Sequence, residues 1–455
     1  MGSVPVNLSP GAATSGSGID VTSVVNQILA SESAPENQLK QNLTDLASAQ
    51  VTLSGFNSGL FGLLTSVNAL SDIGGALTAR TAVSSRTDLL SATADSSAAA
   101  GRHTIVVANL ATGSSYATGP QTASTTPLAT GSFNLQLGSA TAVLITVDNT
   151  NNTLSGLASS INAQNLGVTA SVVTDASGAR LSLLSNGTGL TNDLKITNDT
   201  TGLAFTKTAT AANASLTVDG LGINSATNTV SGVLGGVTLN LAGASPGTPI
   251  SLSVGPDTSR ATQAIQDFVN AYNSLITQVN QQFAYDPTLG SAGALSGNGD
   301  VRALQTQLLG ESTYSISGNN GITGLASIGV NLGNDGTLSV DNAKLSDTLT
   351  NHYQDLQTFF QAASGQTGFA QKLGVDLRNL TDSTRGLLNV ALTQNRNDRS
   401  AIQSSINVFE DRLAVRRQQL TIQYSQVDAT LRNFPLLQAQ ITGELASLPT
   451  VTSIK

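Results

Sequence analysis

Near the C-terminal end an apolar side chain recurs at every seventh position: Ile406, Leu413, Leu420, Val427, Phe434, Ile441 and Leu448. Seven residues are close to two helical turns, so the series lies along one face of a helix. A face this apolar needs a partner in water. The positions between are apolar at Ile402 and Phe409 but polar at Arg416, Gln423 and Thr430. A half-apolar seam of this kind suits one face of a small bundle better than a free-standing coiled coil. The other end of the chain supplies a candidate partner. From Glu36 to about Asp72, Leu39, Leu43, Leu46, Leu53, Leu60, Leu64 and Val67 follow helical steps, with Gln50 and Asn57 falling on the same seam. The two chain ends are therefore expected to build one helical stalk. Pro435 removes a backbone donor and crowds the preceding turn. This predicts a break near Asn433 to Phe434 and a short final helix from Pro435 to about Ser447.

The middle has a different period. HTIVVANLA, SFNLQLG, TAVLITVD, VTASVV, RLSLLS, GVTLNL and PISLSV are short, rich in β-branched residues and bounded by Gly, Asn, Asp or Pro, which reads as strands. The linker ATGSSYATGPQTASTTPLATG and the low-complexity TKTATAANAS bracket residues 131–205, as if one β domain were inserted into another. Helices return after Val254. Asp257 and Thr258 stand as caps before Ile265, Phe268, Val269, Tyr272, Leu275, Ile276 and Val279 on one face. IGVNLGNDGTLSVD reads as a hairpin whose Asn-Asp-Gly supplies a positive φ.

The expected fold is therefore α+β and multidomain: a coiled-coil-like helical stalk from both chain ends, with two mainly-β head domains inserted between them. In residue terms, 36–83 with 255–432 form the helical leg, and 84–130 with 206–254 the first β domain. Residues 131–205 form the second β domain, and 1–35 with 433–455 are flexible terminal segments carrying short helices.

One terminal stretch stands out. After a Gly-, Ser- and Pro-rich opening that reads as disordered, GSGIDVTSVVNQIL places Ile19, Val21, Val24, Val25, Ile28 and Leu29 at helical spacing behind Asp20 as N-cap. Helices below about 12–15 residues are marginal alone. This one is expected to be disordered in the isolated chain and to fold when it docks.

Chemistry is harder to find. The formal charge is −8 and the pI about 4.7, which disfavours nucleic-acid and anionic-membrane partners. Cysteine is absent, so no disulfide framework is available. No Sec-type signal peptide and no apolar run of the ~18 residues needed to span a bilayer is visible. His103 and His352 have no accompanying ligand cluster, and no nucleophile elbow, P-loop or dinucleotide fingerprint occurs. GNDG lacks the terminal bidentate acid of a calcium loop, since Asn342 sits there. No catalytic, metal or cofactor site is expected, and the chain does not read as an enzyme.

Four stretches together resemble the flagellar filament cap family, also called hook-associated protein 2. Gly18, Ile19, Asp20 and Val21 resemble its opening helix, and Gly101, Val106, Val107, Leu110 and Ala111 its entry into the head. Val254, Asp257, Phe268, Val269, Tyr272 and Asn273 are similar to its most specific segment, and RLAVRRQQLTIQYSQVDATL to its closing helix. NNTLSGLASSINAQNLGVTASVV with RLSLLSNGTG is similar to a small motif shared by hook and filament proteins. Asn433-Phe434-Pro435-Leu436-Leu437 departs from the family, which is polar there.

The resemblance implies a structural protein, exported without a Sec signal through the flagellum's own type III channel. It implies a homo-oligomer of five or six copies at the filament tip, with a plate of β domains above helical legs, that holds exported flagellin while it folds into place. It further implies contacts with the hook–filament junction protein and with an export chaperone, and docking on the filament through residues 19–29. A flagellin or junction protein, and an adhesin binding mucin or glycans through its β head, are the competing readings.

Overall fold

The computed structural model describes residues 18–287, 291–361 and 367–447. Leu448 of the heptad series and the opening MGSVPVNLSPGAATS lie outside them. Along the chain come α1 (Val21–Glu32), α2 (Ala34–Ser71), β1 (Arg80–Ser84), β2 (Leu90–Ala94), β3 (Gly101–Asn109), β4 (Ser115–Ala117), β5 (Gly131–Leu137) and β6 (Val143–Val147). Next are α3 (Leu154–Ala163), β7 (Val168–Asp175), β8 (Gly178–Ser185), β9 (Leu194–Thr197), β10 (Thr206–Ala209), β11 (Ala214–Val218), β12 (Leu221–Ser225), β13 (Thr229–Leu234), β14 (Val237–Leu241) and β15 (Ile250–Pro256). There follow α4 (Thr258–Phe283), β16 (Tyr285–Asp286), β17 (Ser291–Ala292), α5 (Gly299–Ser312), β18 (Val330–Leu332), β19 (Leu338–Val340), α6 (Asn342–Asn351), α7 (Tyr353–Gln361), α8 (Phe369–Thr381) and α9 (Leu387–Ala446). Two compact units result: one from Met1–Asn68, Gln266–Ala343 and Ala362–Lys455, the other from Ala69–Ile265 and Lys344–Gln361.

The β-rich unit holds two cores. Around the first lie an antiparallel sheet of order β1-β15-β3-β11-β12 and a sheet of order β13-β14-β2. Alternation does the sorting: along β15, Ile250, Leu252 and Val254 are buried, while Ser251 and Ser253 face outward between them. They meet Ile105, Val107, Leu216 and Leu239. The second core lies among sheets β10-β4-β8-β7 and β6-β5-β9. It buries Phe133, Ile145, Leu181, Leu183 and Leu194, with Phe133 and Phe205 ring centroids 4.7 Å apart. This core reaches past the bracket at 131–205, taking in Leu128 and Tyr116.

Helix α3 fell in a region read as strands. Thr153 caps it, its hydroxyl accepting from Gly156 N at 3.0 Å, and Leu154, Leu157, Ala158 and Ile161 repeat at helical spacing toward the core. Residues 69–83, 255–265 and 344–361 also differ from expectation, grouping with the β-rich unit instead of the leg. Tyr353 Oη donates to the Leu77 carbonyl at 3.1 Å and Gln361 Nε2 to that of Leu70 at 3.0 Å. These bonds tie α7 to the end of α2 and the loop after it.

In the helical unit the buried stripe of α2 is Ala49, Leu53, Phe56, Leu60, Leu63 and Val67, a strict alternation of four and three. Three of these, Leu53, Leu60 and Val67, were expected. Leu39, Leu43, Leu46 and Leu64 are only half-buried, and Asn57 sits at the edge. Passing the seam through Gln50 and Asn57 had rotated it away from Phe56 and Leu63. Gly59 sets the approach of α2 to α4, since a Cβ there would lie 3.0 Å from Leu275 Cδ1.

Helix α9 corrects two expectations. It runs unbroken through Pro435. The proline costs a backbone bond to the Leu431 carbonyl, but Leu431 is itself exposed, so the freed acceptor is open to solvent and no neighbouring element resists a bend. The every-seventh stripe is also not one buried seam. Ile406 and Leu420 are buried and Leu413 half-buried, whereas Val427, Phe434 and Ile441 are 42%, 65% and 53% exposed. Nothing in the described chain reaches far enough along α9 to cover them.

Candidate interaction surface: the terminal helix pair

Helix α1 lies on α9 of its own chain. Asp20 opens it as N-cap, accepting from Ser23 N at 3.0 Å, and Val25 and Leu29 are buried against Leu420. Val21, Ile28, Leu413 and Tyr424 flank this contact, and Val24 is buried beside it. Polar bonds stake out the length of the pair. Ile19 N donates to Asp428 Oδ1 at 2.9 Å, Arg417 Nη1 to Asn26 Oδ1 at 2.8 Å, and Arg416 Nη2 to Glu32 Oε1 at 3.1 Å. Asp428 is held in turn by Arg432 Nε at 2.8 Å. A side chain on Gly18 would place its Cβ 2.5 Å from Asp428 Oδ1, so a larger residue there would displace the Asp428 carboxylate.

Against the expectation of a disordered segment, α1 here is a helix packed on α9 of the same chain. Argued as an isolated helix it lacks stability, but the apolar stripe of α9 supplies a tertiary partner within the same chain. Asp428 and Arg432 were missed by the sequence reading, and their i, i+4 spacing was the available signal.

Past Asp428, α9 leaves α1 behind. Residues 429–446 are exposed throughout, including Leu431, Phe434, Leu436, Leu437, Ile441 and Leu445. Single exposed apolar residues are ordinary, but a continuous helix bearing this many marks an interaction site.

The segment around Phe268 and Tyr272 is interior. Phe268 packs edge-on against Phe369 with centroids 5.6 Å apart, and Val269 is buried beside them. Tyr272 Oη donates to the Leu308 carbonyl at 3.3 Å, and burial raises the pKa of this hydroxyl. Asn273 binds the backbone of β19 and Asn280 Nδ2 the Asp335 carbonyl at 2.7 Å, so α4 holds the β18–β19 hairpin through side-chain amides. That hairpin turns at Gly336, φ +82°. The Asp335 carboxylate accepts from the Thr337 hydroxyl and amide, which lowers its pKa and commits it to the turn.

Each histidine has one acid neighbour that the sequence did not reveal. His103 Nδ1 is 2.7 Å from Asp219 Oδ2, and His352 Nδ1 is 3.6 Å from Asp355 Oδ2. The His103 contact, with a bond from Thr104 N, lowers the Asp219 pKa. Among the described residues no group of three His, Asp or Glu side chains could hold a metal, and no helix is long and apolar enough to cross a membrane.

Comparison with known proteins accounts for these features together. The profile described as flagellar hook-associated protein 2 N-terminus matches residues 17–114, and that of its C-terminus residues 211–434. The flagellin hook IN motif matches 132–187, within the second core. The B-type flagellar hook-associated protein 2 of Pseudomonas aeruginosa is 32% identical over 94% of this chain and 96% of its own length. Its counterpart in Escherichia coli K12 is 30% identical over 94% and 96%. The crystal structure of the flagellar cap protein FliD D1-D2-D3 domains from Escherichia coli superposes with a TM-score of 0.59 at 30% identity. It covers 76% of this chain and 99% of that one. With both chain ends, the inserted β domains and nearly the full length matched in order, the chain belongs to the flagellar hook-associated protein 2 family.

Proposed function

We propose that this protein is the structural cap of a bacterial flagellar filament, retaining exported flagellin at the tip and promoting its folding and insertion. The observation that carries the reading is the terminal helix pair. It is fixed to its own leg by Val25, Leu29 and Leu420, yet presents an uncovered apolar length from Val427 to Leu445, as a part that seats into a larger assembly must. Membership of the family supports it.

The finer reading follows the same line. The chain travels unfolded through the flagellum's export channel and assembles as a closed ring of five or six copies. It meets flagellin beneath its plate, the hook–filament junction protein at the start of filament growth, and a chaperone before export. Residues 19–29 with 427–445 form the docking segment, 36–68 with 266–343 and 367–426 the leg, and 69–265 with 344–361 the plate, with residues 131–205 nested in it. The protein works by shape and binding, without catalysis.

A strain lacking the gene should shed unpolymerised flagellin, and the wild-type gene should restore filaments. Electron microscopy of purified protein mixed with filaments should show closed particles on filament ends alone. Open-ended polymers of this protein would place it among flagellins instead, and binding along filament sides would remove the cap reading.

A further inference from the structure

A cleft of about 370 Å³ opens in the helical unit between α2, the start of α5 and α9. Its apolar wall is Leu46, Leu53 and Leu295, and its polar wall is Asp300, Asn395 and Asp398. Asn395 is 6% exposed. Its Nδ2 donates to the Leu46 carbonyl at 3.0 Å, while Oδ1 is buried with no hydrogen-bond donor. A buried acceptor left unpaired is costly, and such groups are uncommon in folded chains. Among the described residues neither Asp300 nor Asp398 has a cationic partner, and Asp398 accepts only from Gln394 at 2.8 Å. Of the nearby arginines, Arg302 lies over the Phe283 ring at 5.4 Å, and Arg399 bonds Gln50 through Nη1 while its Nε is buried without an acceptor.

Two half-buried carboxylates, an orphan amide oxygen and an apolar wall form an acceptor-rich site with room for an alkyl stem. We infer that this cleft receives the guanidinium or ammonium group of a basic side chain from a partner polypeptide. Arginine fits it best, since its planar fork of donors can bridge a carboxylate and an amide oxygen at once. The methylene stem lies along Leu46 and Leu53 while the head meets Asp300 and Asp398. The assignment of a polypeptide source, as opposed to a free amine, rests on the reading of this protein as a cap that handles other subunits.

Agmatine titrated into the isotope-labelled full chain should shift the amide resonances of residues 294–300 and 391–398. The uncharged isostere butylurea should not. Asp398→Asn, near the start of α9, and Asp300→Asn should each weaken the response about ten-fold, the worth of one charge-assisted bond. Equal shifts in the Asp300→Asn/Asp398→Asn double variant, or none in the parent, overturn the cation site. To test the source, a photo-crosslinking residue at Gln394 should give a polypeptide adduct in cells growing flagella. Absence of any adduct, with the agmatine response intact, overturns the side-chain assignment. A gene deletion that still sheds flagellin while the cleft stays silent removes this inference and leaves the cap function standing.

Discussion

The side chain of Asn273 and the backbone of Leu338 exchange two hydrogen bonds, each 2.7 Å: Nδ2 donates to the Leu338 carbonyl, and the Leu338 N–H donates to Oδ1. One amide side chain on α4 thus stands in for a strand beside β19. Asn273→Ala leaves both backbone groups of buried Leu338 without partners and should cost about 2–4 kcal/mol of stability. Asn273→Asp should cost a similar amount, because a carboxylate keeps one acceptor but loses the donor. Urea unfolding of the two variants reads this directly, and an unchanged midpoint would show that water replaces Asn273.

Helix α1 should be ordered before any assembly. Hydrogen exchange on the isolated chain is expected to protect amides of residues 25–32. Val25→Asp, placing a charge against Leu420, should abolish that protection at a cost of about 2–3 kcal/mol confined to the pair. Fast exchange of these amides in the parent would mean that α1 docks only on a partner.

Along α9 the same substitution should have opposite consequences on the two sides of Asp428. Leu420→Asp should cost several kcal/mol and loosen α1. Phe434→Asp, at an exposed site, should leave the isolated chain within about 0.5 kcal/mol of the parent. If the far half of α9 seats on the filament, Phe434→Asp should still release unpolymerised flagellin in vivo. Normal filaments with Phe434→Asp would take that half of α9 out of the docking surface.

Pro435→Ala restores a missing donor in a solvent-exposed helix. It should strengthen that turn by up to about 3 kcal/mol and raise helicity by circular dichroism, without moving the main unfolding transition. A shift of the main transition would mean that the region beyond Pro435 packs on the rest of the chain.

Glu311 is almost buried and bonds Lys372 Nζ at 2.6 Å, with Asp376 sharing the same ammonium at 2.8 Å. Burial raises the Glu311 carboxyl above its ordinary value, outweighing the attraction of Lys372. The native state then holds this proton at a pH where the unfolded chain has released it, so the Glu311 contribution declines as pH climbs from the ordinary value through the raised one. The stability of the parent relative to Glu311→Gln should therefore fall as pH rises above the ordinary glutamate value. The exposed aspartates work in the other direction. Asp88, Asp95, Asp148, Asp219, Asp335 and Asp382 are all lowered by hydrogen bonds, and their support is present above the ordinary aspartate value and lost as pH falls through the lowered ones. Parallel pH curves for parent and Glu311→Gln would mean that Glu311 ionises as it does in water.

How much was legible in the chain depended on whether one residue's environment could decide its place. In β15 the alternation of Ile250, Leu252 and Val254 with serines leaves one face for the core, and the strand is read at once. On α4, Phe268 to Val279 are apolar on a single helical face, and that face is buried. Helix α3 escaped because Ser, Ala and Asn dominate it, and four small or aliphatic residues carry its whole pattern. On α2, Leu63 and Leu64 are adjacent and equally apolar, so composition cannot choose between them; the helical register does. Phe434 and Ile441 show the deeper limit. Periodicity says that a face wants a partner, but not which molecule provides it. For the cleft beside Asn395 no sequence signal existed, because its walls come from α2, α5 and α9.

The two strands that bound each nested β core are paired with one another. Arg80 to Ser84 of β1 lie antiparallel to Leu252 to Pro256 of β15, and Ser115 to Ala117 of β4 antiparallel to Thr206 to Ala209 of β10. Each pair acts as a clasp that fixes entry and exit a strand's width apart, whatever length of chain lies between. Lengthening that interval adds closure entropy only logarithmically, about 0.6 kcal/mol per doubling. The interior therefore behaves as a cassette within a cassette. Chain can be lengthened, trimmed or exchanged inside either clasp while the paired strands still fix where it enters and leaves, so each core can change without disturbing what lies outside its clasp.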